Sequence, residues 1–183
     1  MKKIAVSILV GLLITSSITS YSQTLSEELA NGIVRLHIIA ESNSKEDQAV
    51  KLKVRDALLQ AMESYDSADE VKENLHVLKN VADRVLKDEG FKYHAVAEYG
   101  KFDFPTKHYD SFSLPKGKYN AVRIRLGKAE GENWWCVLFP PLCMVDAATE
   151  ESLLKETFGE NYSMVTMEDK LPVKIKFKIA EMF

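Results

Sequence analysis

Residues 32–62 read GIVRLHIIAESNSKEDQAVKLKVRDALLQAM, and a change of period inside this stretch decides the fold. Gly32 opens a run in which Ile33, Val34, Leu36, Ile38 and Ile39 are aliphatic and mostly β-branched, the composition of a strand. Arg35 and His37 alternate with these apolar neighbours, so a period of two puts both on one face, which is predicted to be the wet one. Ser42-Asn43-Ser44 ends the strand. Ser44 is placed to cap a helix, with Asp47 three residues on as a variant capping box and Glu46 and Asp47 where the helix dipole favours negative charge. From there the apolar spacing becomes helical: Val50, Val54, Ala57, Leu58, Ala61 and Met62 form one stripe, and the helix is expected to run to about Glu63.

Downstream, Ser67 and Glu70 make a second capping box. Val71, Leu75, Leu78, Ala82 and Val85 form the buried face of the helix that follows, and Gly90 suits the position after its C-cap. A helical hairpin results. The second half reads as β. Tyr93 to Phe104 alternates loosely and stops at Pro105, and a loop continues to about Ser113. Lys118 to Leu126 alternates cleanly, with Tyr119, Ala121, Arg123 and Arg125 on one side and Asn120, Val122, Ile124 and Leu126 on the other. Trp134 to Phe139 is a hydrophobic strand ended by Pro140-Pro141, and residues 118–139 together suggest a β-hairpin. A helix from about Thr149 to Phe158 precedes a last strand, Val173 to Ile179, whose alternating lysines would guard a sheet edge. The expected architecture is α+β: a mainly antiparallel sheet with a helical hairpin and one further helix packed on it.

Upstream, Lys2 and Lys3 precede the uncharged apolar run Ile4 to Ile14 and a Ser/Thr-rich stretch, the order of a secretory signal peptide. The run is short for a membrane span, which needs about 20 apolar residues. Residues 1–22 are thus a signal peptide or N-terminal anchor, 23–31 a polar lead-in, and 32–183 a single α+β domain. At 46% hydrophobic and 28% charged, the 183 residues suit a globular chain and exclude a disordered or fibrous one. The net charge of −3 argues against nucleic-acid binding, and removing Lys2 and Lys3 would make it more negative.

Two segments resemble signatures of the stage II sporulation protein R family. The first is Arg35-Leu36-His37-Ile38-Ile39-Ala40, continued through Glu46-Asp47-Gln48 to Leu52-Lys53-Val54-Arg55-Asp56-Ala57. The second is the specific run from Gly131-Glu132-Asn133-Trp134-Trp135-Cys136 to Phe139-Pro140-Pro141-Leu142-Cys143. The linking segment, Phe104-Pro105-Thr106-Lys107 through Gly117-Lys118-Tyr119, fits as well. Glu41-Ser42-Asn43-Ser44 departs from the family's Asn-Ser-Asp-Ser, and Asp110 stands where glycine is usual. The resemblance implies sporulation signalling. Such a protein is exported from the forespore into the intermembrane space, secreted or tethered at its N-terminus. There it activates a membrane-embedded aspartic protease that processes pro-sigma-E in the mother cell. It implies protein–protein interaction with that protease, no catalysis of its own, and membrane contact only through the N-terminal segment or the partner.

The residues themselves offer several candidates. Cys136 and Cys143 are the two cysteines, and in an exported protein they are either a disulfide or two buried thiols. A disulfide requires Cα atoms about 4.4–6.8 Å apart, so the chain must reverse at Pro140-Pro141. Neither cysteine has a catalytic spacing to His37, His76, His94 or His108, and neither makes a zinc signature. No phosphate loop or dinucleotide fingerprint occurs, and no metal or cofactor is expected. Arg35, His37, Arg55 and Asp56 are read as a polar cluster where the first strand meets the first helix, either a structural ion pair or a recognition surface. Trp134 and Trp135 should point to opposite faces, one in the core and the other an anchor for a partner. Asn133 is read as a turn residue. Two other functions stay open: a secreted hydrolase acting on cell-wall material, which needs a cleft with convergent carboxylates or a nucleophile, and a structural adaptor of the intermembrane space.

Overall fold

The computed structural model describes residues 9, 11–13, 15–16, 30–65 and 67–166. The leader and lead-in, apart from the few positions just named, and the expected strand Val173–Ile179 lie outside the described residues. No helix among the described residues is long and apolar enough to cross a membrane.

β1 (Val34–Ile39) leads into α1 (Lys45–Met62), where Ser44 accepts from the Asp47 amide as the sequence predicts. The second helix is broken. α2 (Ala68–Glu73), capped by Ser67, ends at Asn74, whose side-chain amide donates to the Glu70 carbonyl at 2.8 Å. α3 (Leu75–Asp88) then starts afresh. This side-chain-to-backbone bond is the usual way Asn competes with a helical ladder. Val71, Leu78 and Ala82 are buried as predicted on either side of the break, and at the far end Leu86 is fully buried and Val85 only partly so. Gly90, at φ 83°, closes α3, and the Phe91 amide reaches back to the Leu86 carbonyl. The Lys53–Glu89 pair, 2.6 Å apart, ties the middle of α1 to the C-cap of α3.

β2 (Ala95–Phe104), β5 (Gly117–Leu126) and β6 (Asn133–Phe139) complete a four-stranded sheet in the order β2-β5-β1-β6. β2–β5 and β1–β6 are antiparallel, and β1–β5 is parallel. The hairpin expected over 118–139 does not form, because β1 lies between β5 and β6. Residues 127–132 instead step over the end of β1, with the Gly131 amide on the Ala40 carbonyl at 2.9 Å and Glu130 on Glu41 at 3.1 Å. Crossing one intervening strand spans about 10 Å, which such a connector covers as readily as it closes a hairpin.

A second difference concerns the sheet's faces. One face packs on α1–α3 through Leu36, Ile38, Val122, Ile124, Leu126, Cys136 and Leu138. The other was expected to be wet, yet much of it is covered. A strap, residues 105–116, folds over it with the small strands β3 (Lys107–His108) and β4 (Ser113–Leu114). α4 (Ala147–Phe158), a 3-10 turn (Gly159–Asn161) and α5 (Tyr162–Val165) complete the cover, and Ile33, Phe104, Phe112, Leu114, Tyr119, Ala121 and Val137 form the second core. A central strand covered on both faces reads as nearly continuous apolar sequence, which describes β1 except at Arg35 and His37.

Candidate functional site

Arg35 and His37 project from β1 toward the second core, and both are buried, not wet as alternation suggested. The Arg35 guanidinium lies 4.1 Å from the centre of the Phe104 ring and 4.8 Å from that of Tyr119. Its Nη2 donates to the Tyr109 hydroxyl at 2.7 Å, while Nε and Nη1 have no hydrogen-bond partner among the described residues. No carboxylate among the described residues pairs with it. The ion-pair alternative at this position is therefore replaced by an aromatic box around an isolated cation. Burial lowers the Arg35 pKa, and the two phenols oppose that shift. Burial raises the Tyr109 and Tyr119 phenols against the pull of Arg35, so both stay neutral near pH 7 and supply no countercharge.

One step along β1, the His37 ring stacks on Trp135 with centroids 3.7 Å apart and meets Asn133 Oδ1 at 2.7 Å. Burial pushes its pKa down to about 4; Asn133 opposes this, while Arg123 and Arg35 add to it. The neutral ring therefore donates its Nε2–H to Asn133. Asn133, read in the sequence as a turn residue, opens β6 and orients this histidine.

Arg55 and Asp56 lie across the sheet, on α1. They pair with each other at 2.7 Å, and Arg55 sits over the Trp134 ring at 5.3 Å. The sheet therefore divides the predicted polar cluster: Arg35, His37 and Trp135 on one side, Arg55, Asp56 and Trp134 on the other. The two tryptophans do point to opposite faces, but both are half-buried, so neither is the core residue or the bare anchor that the spacing suggested. Each carries a cation, since Lys107 of the strap lies 5.6 Å from the Trp135 ring. What joins the two groups is β6, the edge strand that presents one tryptophan to each layer.

Beyond the box, toward the end of β5, the second face is more open. Val96 is 41% exposed there, and Arg123 and Arg125 share the single carboxylate of Glu98, at 2.8 Å and 3.3 Å. The face thus carries more positive than negative charge on a chain that is acidic overall. Sequence reasoning passed over Tyr109 and Lys107 because they lie in a segment read as loop. Alternation did place Tyr119, Arg123 and Arg125 on one side of β5, and that was the available signal.

The cysteines are joined as a disulfide, with Cα atoms 6.0 Å apart. The chain reverses at Pro140-Pro141, where Phe139–Pro140 is cis, and the Val137 amide of β6 donates to Cys143 Sγ at 3.1 Å. The β1–α1 loop is also tightly tied. Asp47 accepts from Ser42 at 2.5 Å and from the Tyr93 hydroxyl at 2.7 Å, Asn43 accepts from the Glu132 amide, and Lys51 reaches the Glu132 carbonyl. This polar set links strand, helix and crossing loop. A separate cleft of about 370 Å3 is lined by Asp83, Arg84 and Lys87 with Phe91, Tyr93 and His94. Its carboxylate, Asp83, is committed to Lys79 at 2.5 Å and to the Ala95 amide at 2.7 Å.

The family model described as Stage II sporulation protein R (spore_II_R) matches residues 30–149, a span holding the whole four-stranded sheet, the arginine box and both cysteines. The Stage II sporulation protein R of Bacillus subtilis (strain 168) is 35% identical over 131 residues, 67% of this chain and 58% of that protein. The chain thus spans less than two thirds of that relative's length. No solved structure matches.

Proposed function

The chain belongs to the stage II sporulation protein R family, and on that premise we propose that it is an exported sporulation signal that binds and activates a membrane-embedded aspartic protease, so that pro-sigma-E is processed in the mother cell. The family match through residues 30–149 carries the reading. The disulfide supports export, since such bonds persist outside the reducing cytoplasm. In this reading the protein acts by contact. It favours the active state of the protease only in so far as it binds that state more tightly than the inactive one. The contact surface is the β6 edge, where Trp134 and Trp135 present aromatic area backed by Arg55 and Lys107, the residue types that dominate binding hot spots.

The test is co-expression of this chain, the protease and the pro-sigma factor in a non-sporulating host. Processing should appear when the chain is exported and be absent when residues 1–22 are deleted. Pro-factor left unprocessed in the presence of the exported, folded chain would remove the proposal.

A further inference from the structure

Arg35 has one neutral partner where its planar fork offers five N–H donors. A buried cation without a countercharge is unfavourable, and proteins ordinarily place a carboxylate against it. Here its surroundings add no negative charge. Its contacts are Phe104, Tyr119 and the Tyr109 phenol, and the neighbouring open face holds Arg123 and Arg125 against one Glu98. The site is electrostatically incomplete in the described residues.

One side chain of the cover, the half-buried Tyr109, is placed to move aside. Tyr109 stands at the tip of the β3–β4 turn, where its amide bonds the Phe112 carbonyl at 2.8 Å and its ring stacks on Phe112 at 4.5 Å. Phe112 and Leu114 anchor the strap in the second core, whereas Asp110 and Ser111 at the tip are exposed. The β3–β4 ladder is only two residues long, but Ser111 on Glu150 and the Phe112–Thr166 bridge hold the turn as well, so the motion required is that of the half-buried Tyr109 side chain and not of the whole strap.

We propose that Arg35 is the receptor for a carboxylate side chain on the polypeptide partner, and that this carboxylate displaces the Tyr109 hydroxyl from the guanidinium. Moving Tyr109 aside frees Nη2, which then serves the anion together with Nε or Nη1 in a two-pronged, charge-assisted contact. The aromatic walls stay in place and exclude water from the pair. Arg123 and Arg125 steer an acidic segment toward the box. This inference rests on the partner-binding reading above and supplies the chemistry that the partner must present.

The experiment uses the purified full chain, labelled with 15N, and two probe peptides, acetyl-Gly-Glu-Gly-amide and acetyl-Gly-Gln-Gly-amide. The Glu peptide should shift the Arg35 Nε–Hε resonance with a Kd in the millimolar range, as suits one desolvated pair without further anchoring. The Gln peptide should bind at least about tenfold more weakly. Tyr109→Phe keeps the ring and removes the competing hydroxyl, so the Glu peptide should bind about three- to tenfold tighter. Arg35→Lys keeps the charge without the fork and should lose about tenfold in affinity. An Arg35 resonance unmoved by the Glu peptide, equal binding of both peptides, or no gain in Tyr109→Phe would each overturn the proposal. Because no protease is present, the two readings fail separately. Glu-peptide binding in a chain that does not promote processing leaves the site and removes the activator. Processing by a chain whose Arg35 ignores the probe does the reverse.

Discussion

Arg35 and His37 sit two residues apart on one strand, and their burial has opposite consequences. Arg35 stays charged and, among the described residues, keeps Nε and Nη1 without a partner, so an apolar side chain of similar length should fit the box at least as well. Arg35→Met is expected to leave the folded state as stable as wild type or more stable, by up to about 4 kcal/mol in urea unfolding, while partner binding and pro-factor processing are lost. Concurrent loss of stability would mark the arginine as a structural element instead. His37 stays neutral. Its folded pKa, pushed down to about 4, lies below the ordinary value of 6.5, so an unfolded chain takes up this proton first on acidification. The stability it contributes is present above pH 6.5 and falls between about pH 6.5 and 4, by up to about 3 kcal/mol. His37→Gln should flatten that slope in unfolding experiments run across the range. Both residues were visible in the sequence as a polar pair on one face, but burial was not. The alternation of a strand fixes which side chains share a side and says nothing of what will cover it.

At the scale of elements, the strands and caps predicted within the described residues match the structure closely because their signals are local. Ser44 and Ser67 accept from the amides three residues on, and replacing Ser44 with Ala should cost about 1 kcal/mol. Strand partnership was less legible. The Gly127–Glu132 segment carries turn residues, and turn residues cannot distinguish a hairpin from a step over a third strand. Gly131 now shows why it is there: a Cβ at this position would lie 2.2 Å from the Ser42 carbonyl oxygen. Gly131→Ala should therefore force the crossing loop off the end of β1 and destabilise the protein by about 2 kcal/mol or more, readable as a lowered urea midpoint. The break at Asn74 was hidden for a related reason. One asparagine inside a good apolar stripe looks tolerable until its side chain is seen on the Glu70 carbonyl.

For the whole molecule, two cores on either side of one sheet make the β6 turn a fastening point, since Cys136 faces the helical layer and the Pro140–Cys143 turn leads on toward α4. The disulfide closes a short loop, worth about 2 kcal/mol in the chain-entropy picture. Intact chain recovered from an oxidising compartment should be two hydrogen atoms lighter than reduced chain by mass spectrometry. Cys143→Ser should lower stability by that amount without abolishing the fold. The candidate site was half legible. Its tryptophans, arginine and histidine stood out as residue types, whereas the strap that closes the box looked like an ordinary loop because its role depends on a long-range fit. If the chain is exported as proposed, the placement of β1 has a further consequence, for the order of events at the membrane. This strand leaves the ribosome early and needs Val122 and Cys136, far downstream, as neighbours on either side. A chain halted midway through a translocation channel has nothing to complete its sheet. In the proposed export route, threading would be protected from premature folding by topology alone, and the proposed contact surface would come into being only after most of the polypeptide had emerged on the far side.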